Sequence, residues 1–150
     1  MPGRKTAPAS GTRLRTKVTE LVGRLGLDAR EEVKVGRRLW GAERHIDVVA
    51  TDPATRKSIG LECKYQSKKG TAEEKVPALI SDIEAWPIPG LVVFDGPGFS
   101  SNMQNYLDST GKAVRLKELE DWLRLFFGLE PSVSPHRRKR KPPSRNRTLW

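Results

Sequence analysis

Apolar residues recur along this chain at two spacings, which predict an alternation of helices and strands. Leu14, Val18, Leu21 and Leu25 are three or four residues apart, which predicts an amphipathic helix over residues 14–26. Apolar, β-branched runs predict strands at residues 33–40, 45–50, 58–65, 91–94 and 112–116. Helical patterns predict further helices at residues 71–86, 101–107 and 117–129. Helices on both sides of a mixed sheet make this an α/β domain.

The helix predicted over residues 71–86 has recognisable end signals. Thr71 and Glu74 have the spacing of a capping box, which favours a helix start at Thr71. Pro77 falls within the early turns, where it would shift the start or kink the helix. Pro87 and Pro89 end it.

The second and third strands are joined by residues typical of a turn, and the position of this turn predicts the register between the strands. Residues 52–57 contain Asp and Pro, which break the apolar run. A hairpin symmetric about the bond between Ala54 and Thr55 places Asp47 opposite Glu62. The predicted apolar pairs are then Ile46 with Cys63, Val48 with Leu61, and Ala50 with Ile59. Because strand side chains alternate, we expect these apolar pairs on one face of the hairpin and the charged residues, including Asp47 and Glu62, on the other face.

This register brings together an aspartate, a glutamate and a lysine that are far apart in sequence. Glu-x-Lys occurs three times, but only Glu62-Cys63-Lys64 lies in an apolar strand with an Asp on a preceding strand. Two carboxylates and an ammonium on one strand face can bind a divalent cation beside a phosphodiester. The competing interpretation is a solvated hairpin surface on which charges of opposite sign pair.

In this context the chain resembles the PD-(D/E)xK nuclease superfamily, which includes restriction endonucleases and archaeal Holliday-junction resolvases. The resemblance rests on Asp47, Glu62 and Lys64 within the order αβββαβ, and it covers residues 14–95 well and extends loosely to 130. Ile46 stands where the family motif has Pro, a mild departure. The resemblance implies a restriction-endonuclease-like core with a mixed central sheet flanked by helices.

The resemblance also implies a mechanism for this site. Asp47 and Glu62, with the backbone carbonyl of Cys63, would ligate Mg²⁺ or Mn²⁺, because these hard cations prefer oxygen ligands. Lys64 would position the attacking hydroxide and offset the charge that develops on the phosphoryl group. The expected reaction is hydrolysis of a phosphodiester that leaves a 5′-phosphate.

Several nearby residues are weaker candidates, each with an ordinary structural alternative. Gln66 continues the face of Lys64 and is a candidate catalytic residue or a solvated amide at the strand end. Glu20 on the first helix is a candidate metal ligand or a solvated carboxylate. His45 could contact a phosphate or be structural. Lys68 and Lys69 form a basic loop that could hold a backbone phosphate.

Positive charge is concentrated at the two ends of the chain. The net charge is +10, and residues 1–17 and 131–150 contain five and seven Lys/Arg respectively and no acidic residue. We therefore predict a disordered basic arm (1–13), a nuclease-like domain (14–130) and a disordered basic tail (131–150). The tail includes a run suited to a nucleic acid backbone, formed by Arg137, Arg138, Lys139, Arg140 and Lys141. The same basic run is also typical of a nuclear localisation signal or of a tail that increases solubility.

The remaining features concern compartment and assembly. Cys63 is the only cysteine, so an internal disulfide is excluded, and we expect a buried thiol. No secretory signal or membrane span is recognisable, which predicts a cytoplasmic protein, nucleoid-associated if the host is bacterial. Leu125, Phe127 and Leu129 fall off the main stripe of the last helix, and a second apolar face there would suit a homodimer.

Taken together, the pattern predicts a small Mg²⁺-dependent endonuclease acting on double-stranded or branched DNA. Two alternatives stay open. One is a non-catalytic nucleic-acid-binding subunit of a repair or restriction complex, although intact Asp47, Glu62 and Lys64 argue against it. The other is a basic RNA-associated protein whose ends do the binding; it predicts that Lys64→Ala changes nothing.

Overall fold

The chain forms a five-stranded sheet with helices packed on both faces. A computed structural model describes residues 2–37, 43–68 and 75–131. In chain order the elements are α1 (Pro2–Arg24), β1 (Asp28–Arg37), β2 (Glu43–Thr51), β3 (Ser58–Tyr65), α2 (Val76–Glu84), β4 (Gly90–Asp95), α3 (Ser101–Thr110), β5 (Ala113–Arg115) and α4 (Leu116–Phe127). The first six confirm the predicted order αβββαβ.

The sheet is mixed, with strand order β1-β2-β3-β4-β5. β1, β2 and β3 are antiparallel neighbours, whereas β3, β4 and β5 run parallel. Parallel neighbours need a crossover connection, and α2 and α3 provide the two crossovers. The carboxyl end of β3 therefore lies beside the carboxyl end of β4, and this edge positions the candidate site.

Two apolar cores lie on opposite faces of the sheet. Adjacent residues of β4 alternate between them, because Leu91 and Val93 belong to one core and Val92 and Phe94 to the other. The α1-side core also contains buried side chains of α1 and α4, including Leu14, Val18, Leu21, Val22, Leu119, Leu123 and Phe127. The α2-side core contains buried side chains of α2 and α3, including Val76, Ile80, Ile83 and Leu107. The predicted α/β arrangement is thus observed.

Some element boundaries differ from those predicted. α1 begins at Pro2 rather than at residue 14, so residues expected to form a disordered arm lie on the helix. Residues added to an anchored helix gain hydrogen bonds, which favours this extension except at Pro8, whose missing N–H leaves the Arg4 carbonyl without its helical donor. α2 begins at Val76 with Pro77 in its first turn, where a missing N–H costs nothing. The proposed cap at Thr71 and Glu74 lies outside the described residues, as do residues 132–150 of the basic tail.

β1 runs from Asp28 to Arg37, earlier than the predicted span of residues 33–40. The ladder to β2 passes from Glu31–Val48 to Val33–Ile46 without a pair at Glu32 and Asp47. Glu32 has a positive φ of 54°, so the backbone is irregular at this point.

The irregularity has a consequence for Ile46, which we expected on the same face as Val48 and Ala50. Ile46 packs in the α2-side core, whereas Val48 and Ala50 pack in the α1-side core. That expectation was wrong, because strict alternation requires a regular ladder and the ladder is interrupted at Asp47.

The last helix also packs differently from its predicted orientation. Phe127, which we assigned to a second apolar face, is buried in the α1-side core, and Leu129 packs partly against it. The buried stripe of α4 is Leu119, Leu123 and Phe127, at a spacing of four residues. Leu125 is 84 % exposed. The second apolar face that suggested a dimer is therefore reduced to Leu125.

Within the described ranges, no helix combines the length and the apolar character needed to span a membrane.

Candidate active site

The β2–β3 hairpin has the predicted register, and its strands separate at the candidate site. The ladder pairs Val48 with Leu61 and Ala50 with Ile59, as the turn symmetry predicts. It does not continue to Asp47 and Glu62. Instead, the backbone N–H of Cys63 donates to Oδ2 of Asp47 at 2.9 Å. The Asp47 side chain thus reaches the gap between the strands and takes the place of a backbone acceptor.

Glu62 occupies a largely buried position beside Asp47. Burial is the main cause that raises the pKa of Glu62 to about 7, and the negative charge of Asp47 raises it further. The Lys64 ammonium and the backbone N–H of Asp47 oppose this rise. Oε1 of Glu62 is buried and has no hydrogen-bond partner among the described residues. A buried carboxylate oxygen without a partner is costly unless it binds something else.

Asp47 is in a similar but better compensated environment. Burial raises the pKa of Asp47 above its ordinary value. The hydrogen bond from Cys63 N–H and the charges of Lys64 and Arg15 favour the ionised form and limit the rise. The two carboxylates therefore share one small, partly desolvated volume, which is the electrostatic setting of many catalytic sites.

Lys64 lies at the solvent-exposed side of this volume. Its charge lowers the pKa of both Asp47 and Glu62. Among the described residues, no ion pair within 4.0 Å joins its ammonium to either carboxylate. The ammonium is thus close enough to act electrostatically without being paired to either carboxylate.

Gln66 is buried, with 6 % of its surface exposed, rather than solvated. Its Nε2 donates to the carbonyl of Gly98 at 2.9 Å, and Gly98 N–H donates to the carbonyl of Gln66 at 2.8 Å. Gly96 has φ +106° and a Cβ there would overlap the Gln66 carbonyl oxygen. Gln66 therefore fastens the loop after β4 to the end of β3, and a catalytic role for it stays a prediction.

The Cys63 side chain is half-buried and packs against the α1-side core. Burial, together with the neighbouring carboxylates, raises the pKa of the Cys63 thiol, so the thiol is neutral near pH 7.

For two of the other predicted candidates, Glu20 and His45, the structure shows neighbours other than Asp47. Glu20 is exposed and lines a groove between α1 and α4 with Lys117 and Glu120. Nε2 of His45 lies 3.5 Å from Oε1 of Glu43. Lys68 is exposed just beyond Gln66. Lys69 and the tail residues Arg137, Arg138, Lys139, Arg140 and Lys141 lie outside the described residues.

Sequence reasoning missed a charged cluster that joins α1 to β1 beside Asp47. The Arg15 guanidinium donates to Glu32, and its Nε lies 3.8 Å from Oε1 of Glu31. Thr19 Oγ1 donates to Glu31 at 2.8 Å. Arg15 and Thr19 are one helical turn apart and flank the buried stripe of α1, which was the available signal.

A second missed pair lies on the other side of the sheet. Nε of Arg44 is 2.8 Å from Oδ1 of Asp82, and both side chains are mostly buried, at 17 % and 16 % exposure. The Asp82 charge contributes to the raised pKa of Glu62. The sequence held no signal for this pair, because its members are separated by 38 positions.

The residues present fit a cation that keeps several water ligands. Among the described residues, no group of three or more His, Cys, Asp or Glu side chains could hold a metal ion. Two carboxylates are nevertheless what Mg²⁺ commonly takes from a protein, because it dehydrates reluctantly. The unpartnered Glu62 Oε1 is an oxygen that such a cation would satisfy.

Comparison with known families assigns the chain to a class. A family model described as PD-(D/E)XK nuclease superfamily domain matches residues 6–125. The chain therefore belongs to the PD-(D/E)XK nuclease superfamily, which confirms the resemblance seen in the sequence. Comparison with curated proteins gave no match.

Three solved structures are similar over part of their length. A protein of unknown function, AF1548, is 20% identical with a TM-score of 0.49, over 67% of this chain and 55% of that one. VC1899 from Vibrio cholerae is 16% identical with a TM-score of 0.47, over 77% and 32%. A repair endonuclease from Pyrococcus abyssi is 12% identical with a TM-score of 0.39, over 68% and 44%. This chain thus spans about a third to about half of their lengths.

Proposed function

We propose that this protein is a divalent-metal-dependent endonuclease that hydrolyses phosphodiester bonds in DNA. The observation that carries the proposal is the environment of Glu62. Its Oε1 is buried without a partner among the described residues, next to a second carboxylate and within reach of the Lys64 charge. A folded protein retains such an arrangement at a cost to stability, which is expected at a functional site.

Asp47, Glu62 and the carbonyl of Cys63 would hold Mg²⁺ or Mn²⁺. When bound, such a cation lowers the pKa of water and polarises a phosphoryl oxygen. The protein contributes two carboxyl groups held by backbone N–H donors, so little side-chain reorganisation is needed when the ligand arrives and displaces the Glu62 proton.

Lys64 would stabilise the negative charge that develops on the phosphoryl group. Its ammonium is compact, exposed and attracted towards the site by both carboxylates. Gln66 would support this role indirectly, because it fixes the end of β3 on which Lys64 lies.

Two clefts beside the end of β3 favour a polyanionic substrate. One is lined by Lys64 and Lys75, and the other by Arg13 and Lys17 on α1 together with Tyr65 and Asp95. Cations on both sides of the site would contact the backbone phosphates of double-stranded or branched DNA. His45, Lys68, Lys69 and the basic tail residues 137–141 are further candidates for such contacts, and Glu20 for a peripheral metal contact.

We further propose that the protein acts in the cytoplasm and associates with the nucleoid if the host is bacterial.

We also propose a homodimer, which would place two active sites on the two strands of the DNA. Light scattering at tens of micromolar protein tests this proposal. A monomer at that concentration would remove the homodimer from the proposal.

The decisive experiment incubates the protein with supercoiled plasmid, linear duplex and a branched junction in Mg²⁺, Mn²⁺ or EDTA. We expect metal-dependent cutting, and nicking of the closed plasmid identifies an endonuclease. Lys64→Ala should retain DNA binding and lose cutting by about 10²–10³-fold, the usual effect of removing one charge-stabilising group.

The control for this variant is Lys34→Ala. Lys34 belongs to another Glu-x-Lys, on β1, and is paired with Glu43 at 3.2 Å. It should cut like the wild type. Binding without cutting in either metal, with Lys64→Ala indistinguishable from wild type, would replace the enzyme by the non-catalytic accessory subunit.

A further inference from the structure

A partly apolar pocket opens beside Lys64 and is not used by the proposed hydrolysis. Its lining residues are Lys64, Tyr65, Gln66, Lys75, Val76, Leu79 and Phe99. Its volume is about 90 Å³ and it is open to solvent on one side. Val76, Leu79 and Phe99 are buried or half-buried, whereas Lys64 and Lys75 are exposed, so we place the apolar side chains in the interior and the two lysines at the rim.

We propose that this pocket receives one unpaired nucleobase of the DNA strand whose phosphate lies at Lys64. The inference rests on the proposed function and names the substrate class that the site prefers: DNA with an unpaired nucleotide next to the bond that is cut. Phosphates on either side of that base would meet the ammonium groups of Lys64 and Lys75.

The chemistry of the pocket favours a nucleotide over other occupants. A nucleobase is flat and weakly polar on its faces, and it is attached to anionic groups. That combination matches an apolar interior with a cationic rim, and contact between a base and apolar or aromatic side chains is independent of sequence. An apolar peptide side chain would fill the interior but would leave both lysines without anions.

The size of the pocket fits partial insertion of a ring. A closed apolar cavity that holds benzene has a volume of about 150 Å³, so 90 Å³ with one open side admits a base only along one edge. A paired base would have to leave its stack to enter. The cost of leaving the stack is smallest for a base that is already unpaired, which is the source of the preference.

The architecture keeps the pocket in place. Gln66 is bonded to Gly98 on the loop that leads to Phe99, and Phe99 packs edge-on against the buried Phe94. The wall formed by this loop is therefore fixed to β3, the strand that carries Lys64. A base in the pocket and a phosphate at Lys64 would be held by one rigid unit.

The test compares the affinity of the full-length protein in EDTA for duplexes with one bulged nucleotide and with an abasic bulge at the same position. We expect the wild type to bind the bulged base about tenfold more tightly than the abasic bulge. Leu79 is half-buried on α2 and lines the pocket, so the larger side chain of Leu79→Trp should fill it. This variant should reduce the ratio to about one. Leu79→Gln removes the apolar surface without adding volume and should reduce it similarly, which covers a failure of the larger residue to fold.

The control variant is Leu125→Trp on α4, the same substitution at a position that is 84 % exposed. It should leave the ratio unchanged. Cleavage of the same substrates in Mg²⁺ then separates the two proposals. A ratio near one in the wild type, with cutting that depends on Lys64, overturns the pocket and keeps the nuclease. A tenfold ratio without any cutting supports the pocket and overturns the nuclease, and the absence of DNA binding overturns both.

Discussion

The backbone N–H of Cys63 donates to the carboxylate of Asp47 at 2.9 Å, across the point where β2 and β3 stop pairing. This bond links a side chain proposed to bind metal to the backbone of the strand that carries the other two site residues. It holds the Asp47 carboxylate in the gap between the strands, and it favours the ionised form of Asp47.

Replacing Asp47 should separate its structural contribution from its charge. Asp47→Ala leaves the Cys63 N–H without its acceptor, and we expect a loss of about 1–3 kcal/mol in the free energy of unfolding. Asp47→Asn keeps an acceptor oxygen, so it should retain most of the stability. Urea unfolding measures both. Equal stability of the two variants would contradict the importance of this hydrogen bond.

Asp47→Asn should also change the titration of Glu62. The Asp47 charge is one of the causes that raise the pKa of Glu62 to about 7. Without that charge the Glu62 pKa should fall towards its ordinary value, which carbonyl-detected NMR at increasing pH would show. Burial remains in the variant, so the fall should be partial; a pKa that does not move would mean that the two carboxylates are not coupled.

Glu62→Gln should alter the pH dependence of stability. The folded protein binds the Glu62 proton more tightly than the unfolded chain, because the folded pKa is raised from 4.5 to about 7. The wild type therefore loses stability as the pH rises through this window, by about 3 kcal/mol in total. The glutamine cannot ionise, so the variant should be progressively more stable than the wild type from pH 5 to pH 8 without metal. Unfolding curves at pH 4, 6 and 8 give the comparison, and a pH-independent difference would contradict it.

Adding Mn²⁺ should oppose this loss of stability at high pH in the wild type. A cation requires ionised ligands, so it should stabilise the wild type more at pH 8 than at pH 6. Glu62→Gln lacks one ligand charge and should gain much less. The melting temperature with and without Mn²⁺ is the measurement, with Asp52→Asn as a control on the exposed hairpin turn. Equal gains in all three proteins would indicate nonspecific binding.

Gly96→Ala should destabilise the loop after β4, which is bonded to Gln66 at the end of β3. Its φ of +106° is strained for alanine, and the added Cβ would overlap the Gln66 carbonyl. We expect a loss of at least about 2 kcal/mol. Gly111→Ala is the matched control, because its φ of +69° is also positive but nothing lies within 4 Å of the added Cβ. It should cost about 1 kcal/mol, so a larger loss there than at Gly96 would contradict the packing argument.

Replacing Arg13 and Lys17 by alanine should weaken DNA binding only because contacts with backbone phosphates are lost. Each lost contact lowers the slope of log affinity against log salt concentration by about 0.9. The double alanine variant should therefore lose nearly two units of slope, measured by anisotropy between 50 and 200 mM salt. Lys57→Ala, at the opposite end of the hairpin and bonded to the Phe126 carbonyl, should keep the wild-type slope.

Local sequence patterns were sufficient to predict the order of elements, the hairpin register and the choice of candidate site. Apolar periodicity reports which side of an element is buried, and the turn at residues 52–57 fixes which residues of β2 and β3 can pair. Asp47, Glu62 and Lys64 could be selected on these local grounds, and their roles in catalysis stay predictions.

The surroundings of those residues depend on how the elements pack together. The separation of the strands at Asp47, the reversed face of Ile46 and the inward packing of Phe127 depend on contacts between distant segments. The Arg44–Asp82 pair and the pocket beside Lys64 likewise join elements that are far apart in the chain. A local pattern records whether a side chain is buried, but not which partner buries it. The partner is set by how whole elements pack, so the pKa of Glu62 and the shape of the pocket emerge only in the folded chain.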